Sequence, residues 1–417
     1  VNDDVDGFLR DLDAFIAAEI VPLQDRDDNV RFFDHRREWA RTDFEAGGVP
    51  RAEWRALLAE ARRLADRAGV LRYSLPVALG GRDGSNLAMT IIREHLAAKG
   101  LGLHNDLQDE SSVVGNFPVV ALLDRFGTPE QRAEHVEDAI TGRRPIAFAL
   151  SEPGHGSDAT WLETTATRAG DDWVIDGTKR WNTGLPGATH DLVFARTSGS
   201  PGDARGITAF LVPTDAPGFE VPFVWWTFNM PSDHAEVRLT GVRVPHAAVV
   251  GEVDRGLELA QHFVHENRIR QAAASLGAGA YCVAEAVRYA RERVTFGQPL
   301  AMRQAIQWPL AELHTEAAML RALIRATAAR LDEEPDGKSG TTELSAEVSM
   351  CNYRANRFVC EAADRAMQVH GGLGYSRHKP FEHIYRHHRR YRITEGSEEI
   401  QLRRVAQHLF GFTRDAR

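Results

Sequence analysis

Apolar residues recur along the chain in two rhythms, and the points where one gives way to the other divide it into segments. From Phe8, the residues Leu12, Phe15, Ile16 and Ile20 follow mostly at three- and four-residue steps. That is the stripe of an amphipathic helix, with Pro22 just past its expected end. Helical spacing returns over 51–68 and 87–98, separated by Pro76 and a Gly80-Gly81 turn. Residues 1–145 are therefore expected to form a mainly helical domain. From Ile146 the period shortens. Trp173-Val174-Ile175 runs into Asp176-Gly177, short apolar runs cover 191–197 and 207–212, and 237–244 alternates. Short strands closely punctuated by Gly and Pro predict a small antiparallel β-domain over 146–253.

After Asp254 the helical period comes back and stays. Leu276, Ala280, Val283 and Val287 form one stripe, and Leu313, Ala317, Leu320, Ile324 and Leu331 a second. A third runs Leu344, Val348, Cys351, Ala355, Val359, Ala362, Ala366 and Val369. Long antiparallel helices over 254–417 are implied, with the acidic, Gly-containing stretch 332–340 as a solvated turn between two of them. The fold expected is mainly α with a β-domain in the middle.

Composition changes this picture little but excludes several functions. With 417 residues, 43% of them hydrophobic, the chain has ample apolar surface for two or three packed units. A formal charge of -9 gives no case for nucleic acid as the main ligand, so any phosphate site must be local. Three cysteines, Cys282, Cys351 and Cys360, are too few for a disulfide framework and lack metal-ligand spacing, which fits a reducing, cytoplasmic setting. No stretch approaches the ~18 apolar residues of a membrane span, and Asp3, Asp4 and Asp6 stand where a signal peptide is basic. Neither a membrane span nor export is expected.

Generic catalytic motifs are missing: there is no G-x-S-x-G elbow, no P-loop and no H-E-x-x-H. Gly277-Ala278-Gly279 begins like a dinucleotide fingerprint, but Cys282 stands where the third glycine belongs and the stretch lies in a helical stripe. Close packing of helices through small residues is the better reading. His383 and His387 stand four apart, as zinc ligands do, but no further ligand set accompanies them; histidines that are solvated or lie beside a bound ligand are the expectation. The informative blocks lie elsewhere. The first runs from Phe148 through Leu150-Ser151-Glu152-Pro153-Gly154-His155-Gly156-Ser157-Asp158, with Trp181-Asn182-Thr183 further on. The second is Arg293-Val294-Thr295-Phe296-Gly297-Gln298-Pro299, followed by Gln304. The third starts Gln368-Val369-His370-Gly371-Gly372-Leu373-Gly374-Tyr375 and leads through Arg386 and Arg389 to Glu395-Gly396-Ser397-Glu398-Glu399-Ile400-Gln401.

Together with Phe126-Gly127-Thr128-Pro129-Glu130-Gln131, these blocks resemble the acyl-CoA dehydrogenase family, in order and over nearly the whole chain. The resemblance implies a helical domain, a β-domain and a four-helix bundle. It further implies FAD held between the last two, and a homotetramer whose adenine sites are completed by a neighbouring subunit. An isoalloxazine ring needs flat apolar faces and a few donors, which Phe148, Leu150, Ser151, Trp181 and Thr183 can supply. By resemblance Thr183 lies beside flavin N5, and Ser157 reaches the flavin or the thioester. Taken alone, Gly154 and Gly156 are equally a plain turn and Trp181 a core residue. Arg293, Thr295, Phe296 and Gln304 resemble positions serving the pyrophosphate and adenine half of FAD, as do Gln368, Gly371 and Gly372. Without the other blocks those glycines read as a helix C-cap, and Arg293 as a capping charge. Ser397 and Glu399 join the cofactor set by resemblance, and His265, Arg268 and Gly396 the substrate set.

Glu395 is the residue expected to carry the chemistry. The α-hydrogen of a thioester is a weak acid, so its removal needs a placed base, stabilisation of the enolate oxygen and a hydride acceptor across the chain. In the family, the glutamate of this E-G-[TS] motif takes the α-proton while the β-hydrogen leaves as hydride to flavin N5. Its backbone N–H helps hold the carbonyl. Some relatives place the base one residue before the arginine corresponding to Arg268, but here that position is Asn267, which cannot serve. Glu266 is one step off, about 100° around the helix. Arg270 and Gln271 occupy a face where many relatives are apolar, which points either to a polar or branched acyl group or to an Arg270–Glu266 pair. After Thr183 the chain continues Gly184-Leu185-Pro186-Gly187 rather than the family's Thr-Asn-Gly pattern. The expected function is dehydrogenation of an acyl-CoA with electrons passed to an electron-transferring flavoprotein. An oxidase or flavin monooxygenase of the same fold, and a non-catalytic binding or assembly protein, are the alternatives.

Overall fold

The computed structural model describes residues 4–105, 112–334 and 342–412, the side chains of 262–265 apart. It divides into two compact units. One joins residues 1–37, 68–115 and 265–417; the other joins 38–67 and 116–264. The first 145 residues thus contribute to both units.

The unit built on 38–67 and 116–264 carries the sheet. Helix α1, Val5–Phe15, belongs to the other unit; here the helices are α2, Ala52–Arg67, α4, Pro118–Phe126, and α5, Pro129–Thr141, with α3, Asn86–Ala97, again in the other unit. Thr128 starts α5 with a reciprocal capping box: its hydroxyl accepts from Gln131 N–H while the Gln131 side chain accepts from Thr128 N–H. The eight strands of its large sheet are β1 (Ile146–Ala149), β2 (Thr165–Ala169), β3 (Asp172–Thr183), β4 (His190–Arg196), β5 (Ile207–Pro213), β6 (Phe219–Val224), β7 (His234–Pro245) and β8 (Val249–Val250). Their order is β8-β5-β4-β1-β3-β7-β6, with β2 beside β3 and β4. Most pairings are antiparallel, as expected, but β1 runs parallel to β4. Inward positions alternate along β3 as Trp173, Ile175 and Lys179, and then the phase slips. A bulge between Arg180 and Asn182 throws Trp181 out of the ladder, at φ +65°, and turns Asn182 inward instead.

The other unit is helical. After α1 a π-helical turn, Ile16–Ile20, passes directly into a further helix, Val21–Asp25. Pro22, expected beyond the end of the helix, lies in the first turn of that next piece, where its missing N–H costs nothing. The long helices are α6, Gly256–Glu292, which belongs to this unit from residue 265 on, α7, Gln304–Glu333, and α8, Thr342–His370, followed by α9, Phe381–Arg389, and α10, Glu398–Phe410. The three apolar stripes meet in one core that includes Leu276, Val283, Leu313, Ile324, Val348, Ala355 and Val359. Part of the solvated turn expected over 332–340 lies outside the described residues. A Cβ on Gly277 would meet the Glu94 carbonyl oxygen at 2.2 Å, and one on Gly279 the Phe358 ring at 2.3 Å, so these glycines serve close packing. Cys282, Cys351 and Cys360 are all buried, which pushes their thiols up, Cys360 to about 11. Among the described residues no helix is long and apolar enough to cross a membrane.

Candidate active site

In the sheet unit, strand pairing gathers most of the first block. Phe148 on β1 is directly opposite Thr183 on β3, and the Arg180 N–H donates to the Ser151 carbonyl at 3.0 Å. Trp181, lifted by its bulge, is 49% exposed and packs on Trp225 with ring centroids 4.9 Å apart. The Thr183 hydroxyl lies 3.1 Å from His234 Nδ1. Ser157 is exposed in the loop between β1 and β2. What fixes this loop is an ion pair that the sequence did not announce. Lys179, 0% exposed, donates to Glu152 Oε1 at 2.8 Å and to the Leu150 carbonyl at 3.2 Å. Glu152 also accepts from the Glu163 and Thr164 backbone N–H groups at 2.6 and 2.9 Å. Burial alone would raise the Glu152 carboxyl, but Lys179 and these donors bring it below its usual range. Lys179 itself is lowered by burial to about 8. Alongside, Asn182 Nδ2 donates at 2.6 Å to Asp191, whose carboxyl burial raises to about 7.

In the helical unit the second block forms a two-stranded hairpin, Val294–Thr295 against Gln298–Pro299. Its tip, Phe296 and Gly297, has φ of +51° and +74°. A Phe in that region is strained and, at 96% exposure, has no intramolecular packing to repay it. Arg293 leads into the hairpin and Gln304 opens α7. Gln368, Gly371 and Gly372 are exposed at the end of α8; Gly371 takes φ +60° and ψ -137°, and a Cβ on either glycine would meet nothing within 4 Å. This is backbone that a phosphate can approach closely. His383 and His387, expected to be solvated or near CoA, are instead buried, with His387 Nε2 2.9 Å from the Tyr391 hydroxyl.

Glu395 sits in a turn just before α10, itself at φ +57° and followed by Gly396 at φ +88°. Two consecutive residues of α6 hold it. Asn267 Nδ2 donates to Glu395 Oε1 at 3.0 Å. Arg268, 4% exposed, donates to the Glu395 carbonyl through Nε at 2.8 Å and also through Nη2. Arg268, expected at the substrate, is thus engaged with the turn; burial and neighbouring Arg404 lower its pKa to about 10, so it stays charged at neutral pH. The φ of +88° at Gly396 is one that L side chains rarely adopt, and a Cβ there would also stand 2.7 Å from Arg268 Nη2, so the position favours glycine. Gln401 Nε2 donates to the Gly396 carbonyl at 2.9 Å and to Asn352 Oδ1 at 2.9 Å, and Asn352 Nδ2 reaches the Arg268 carbonyl at 2.8 Å. Glu398 is bound by Arg357 and Arg392, chiefly the latter, which holds its carboxyl down at about 2. Ser397 is the residue before α10, and Glu399 is exposed on its first turn. The His265 side chain lies outside the described residues. Glu266 pairs with Arg270 at 3.3 Å on the same helix; Arg270 and Gln271 are both buried.

Residues 8–143, 147–242 and 254–410 match, in that order, the N-terminal, middle and C-terminal domains of acyl-CoA dehydrogenase. The chain belongs to the acyl-CoA dehydrogenase family. It is 33% identical over 353 residues to a 3-(aryl)acrylate reductase of Clostridium sporogenes, covering 82% of this chain and 87% of the reductase. It is also 33% identical over 350 residues to the mitochondrial short-chain specific acyl-CoA dehydrogenase of Bos taurus, covering 82% and 80%. The crystal structure of an acyl-CoA dehydrogenase from Geobacillus kaustophilus matches with a TM-score of 0.77 and 25% identity over 98% of both chains. Like other acyl-CoA dehydrogenases, then, the chain is an FAD-dependent oxidoreductase acting on CH–CH groups. Its residues suit that cofactor: an exposed indole and a hydroxyl on one strand end in the sheet unit, and open glycine backbone in the helical one.

Proposed function

We propose that this protein dehydrogenates an acyl-CoA thioester across its α,β-bond, with Glu395 as the base that takes the α-proton. The observation that carries the reading is the grip on Glu395, whose carboxylate and carbonyl are each bound by a residue of α6 while its backbone adopts a left-handed conformation. A side chain fixed in this way has lost its rotational freedom before substrate arrives, which is what proton abstraction from a weak carbon acid needs. Bound FAD supplies a two-electron acceptor for the hydrogen leaving the β-carbon. Phe148, Leu150, Ser151, Ser157, Trp181 and Thr183 hold the flavin end of the cofactor. Arg293, Thr295, Phe296, Gln304, Gln368, Gly371, Gly372, Ser397 and Glu399 hold its remainder. Ser157, His265, Arg268 and Gly396 contact substrate. Exposed Phe296 on its strained tip supports assembly into a homotetramer, in which a neighbouring copy would cover it. The physiological acceptor is an electron-transferring flavoprotein, the setting cytoplasmic, and the domains divide as 1–145, 146–253 and 254–417.

The acrylate reductase among the relatives favours a second reading, in which the same residues run the reaction toward the saturated product and Glu395 returns its proton. Anaerobic titration of the purified yellow protein with a series of acyl-CoA thioesters tests both. Saturated thioesters are expected to bleach the flavin absorbance, and α,β-unsaturated ones to restore it after chemical reduction. Absence of either change across short, branched, polar and aromatic acyl groups would overturn the proposal. Rapid oxygen consumption during aerobic turnover would instead identify an oxidase.

A further inference from the structure

Asn267 was set aside by sequence because an amide cannot take a proton, but its position gives it a different task. It is 5% exposed, and its Nδ2 lies 3.0 Å from Glu395 Oε1. An amide N–H donated to a carboxylate is a charge-assisted bond, stronger than a neutral one and directional. Bound through Oε1, the carboxylate cannot rotate freely about its terminal torsion, which is otherwise broad. Arg268, the next residue, fixes the main chain of the same glutamate. Successive residues stand about 100° apart around a helix. One turn of α6 therefore reaches both ends of Glu395 at once: Asn267 through the side chain, Arg268 through the carbonyl.

We propose that Asn267 is a positioning residue for the reaction, aiming the Glu395 carboxylate at the α-carbon of the thioester. The inference rests on Glu395 being the base. Its logic lies in the residue type. An aspartate there would set a second anion against the first, and the two would compete for one proton. A small apolar residue would take this donor away from the carboxylate and put nothing in its place. The amide supplies a donor, adds no charge and has no proton to exchange. Misplacement of a reacting group by as little as ~1 Å costs about 100-fold in rate, so losing this one bond is expected to appear in the chemical step rather than in binding.

The test compares Asn267→Ala, Asn267→Asp and Glu395→Gln in rapid-reaction flavin reduction, using a thioester that reduces the wild-type holoenzyme and its α-deuterated form. Glu395→Gln is expected to lose reduction by about 10²- to 10⁴-fold. Asn267→Ala is expected to slow it by about 10- to 100-fold, and the isosteric Asn267→Asp by more, with FAD content, melting temperature and thioester dissociation constant close to wild type. Because α-proton removal would then limit the step more fully, the α-deuterium effect should rise in both Asn267 variants. A purely structural role has no reason to change it. If Glu395→Gln collapses while both Asn267 variants reduce within twofold of wild type at an unchanged isotope effect, the inference fails and the base assignment stands. If Glu395→Gln reduces normally, the base assignment itself is wrong, and the role of Asn267 falls with it.

Discussion

Two buried polar clusters hold turns of the candidate site in this chain, and they do it with different chemistry. Behind the Glu395 turn, past Arg268, a chain of contacts runs through side-chain amides and a hydroxyl, groups without a titrating proton. Gln401, Asn352, Asn356 and Ser275 pass hydrogen bonds to one another at 2.7–2.9 Å, and Ser275 meets His388 Nδ1 at 3.0 Å. Burial, followed by the charge of Arg390, lowers His388 to about 3, so it is neutral at any physiological pH. Behind β3 the lock is ionic: Lys179 and Glu152 pair in full burial, with the Asp191 carboxyl in the same field. Amide networks fix geometry without answering to pH, which suits the surroundings of a residue proposed to gain and lose a proton. An ion pair grips a loop harder, but it carries a desolvation cost and ties that loop to the protonation of its members.

Breaking the ionic lock from one side should have the largest effect. Lys179→Met leaves Glu152 buried without its cation, and removing one member of such a pair costs about 3–5 kcal/mol. Denaturant unfolding should register that loss, with FAD retention falling as the loop 151–164 loosens. A variant as stable as wild type would mean the pair contributes little and the two backbone donors to Glu152 suffice.

The second effect separates the clusters by pH. Burial raises Asp191 to about 7, so the folded protein holds that proton where the unfolded chain has released it. Its contribution is fully present below the unfolded pKa of ~3.9 and is lost as pH rises through about 7. Asp191→Asn removes this loss. The variant should therefore gain on wild type between pH 4 and pH 8, by on the order of 2 kcal/mol, read as a widening difference in melting temperature. A constant difference across that range would place the carboxyl's titration elsewhere.

The smallest effect belongs to the neutral cluster. Ser275→Ala deprives Asn356 and His388 of a partner and should cost about 1 kcal/mol. Because His388 is uncharged throughout, the loss should be flat from pH 5 to pH 8. A loss that grows toward acid would show the network to be less neutral than its hydrogen bonds imply.

What the sequence revealed and what it concealed follow the same division between local and distant. The stripes of α6, α7 and α8 were legible because each recurs over many turns, and long apolar periodicity has few other causes. The E-G-S turn and the Phe296 hairpin stood out as short motifs. The inward place of Lys179 was also readable, since it continues the alternation of Trp173 and Ile175, although its partner across the loop was not. The slip at Trp181 has no signature in composition; a bulge is set by pairing with β7. Least visible was Asn267, 128 positions from the glutamate it binds. Only the packing of α6 beside the turn before α10 turns a residue dismissed as inert into a partner.

The three cysteines have a practical consequence. All are buried, two of them, Cys351 and Cys360, on α8 and the third on α6, and burial keeps their thiols protonated. Since the thiolate is the reactive form, alkylation of the folded protein is expected to be slow and to wait for the helices to part. The chain thus carries its own clock for the opening of that core, needing no introduced label, and the rate at which its thiols are captured reports on the helices that position Glu395.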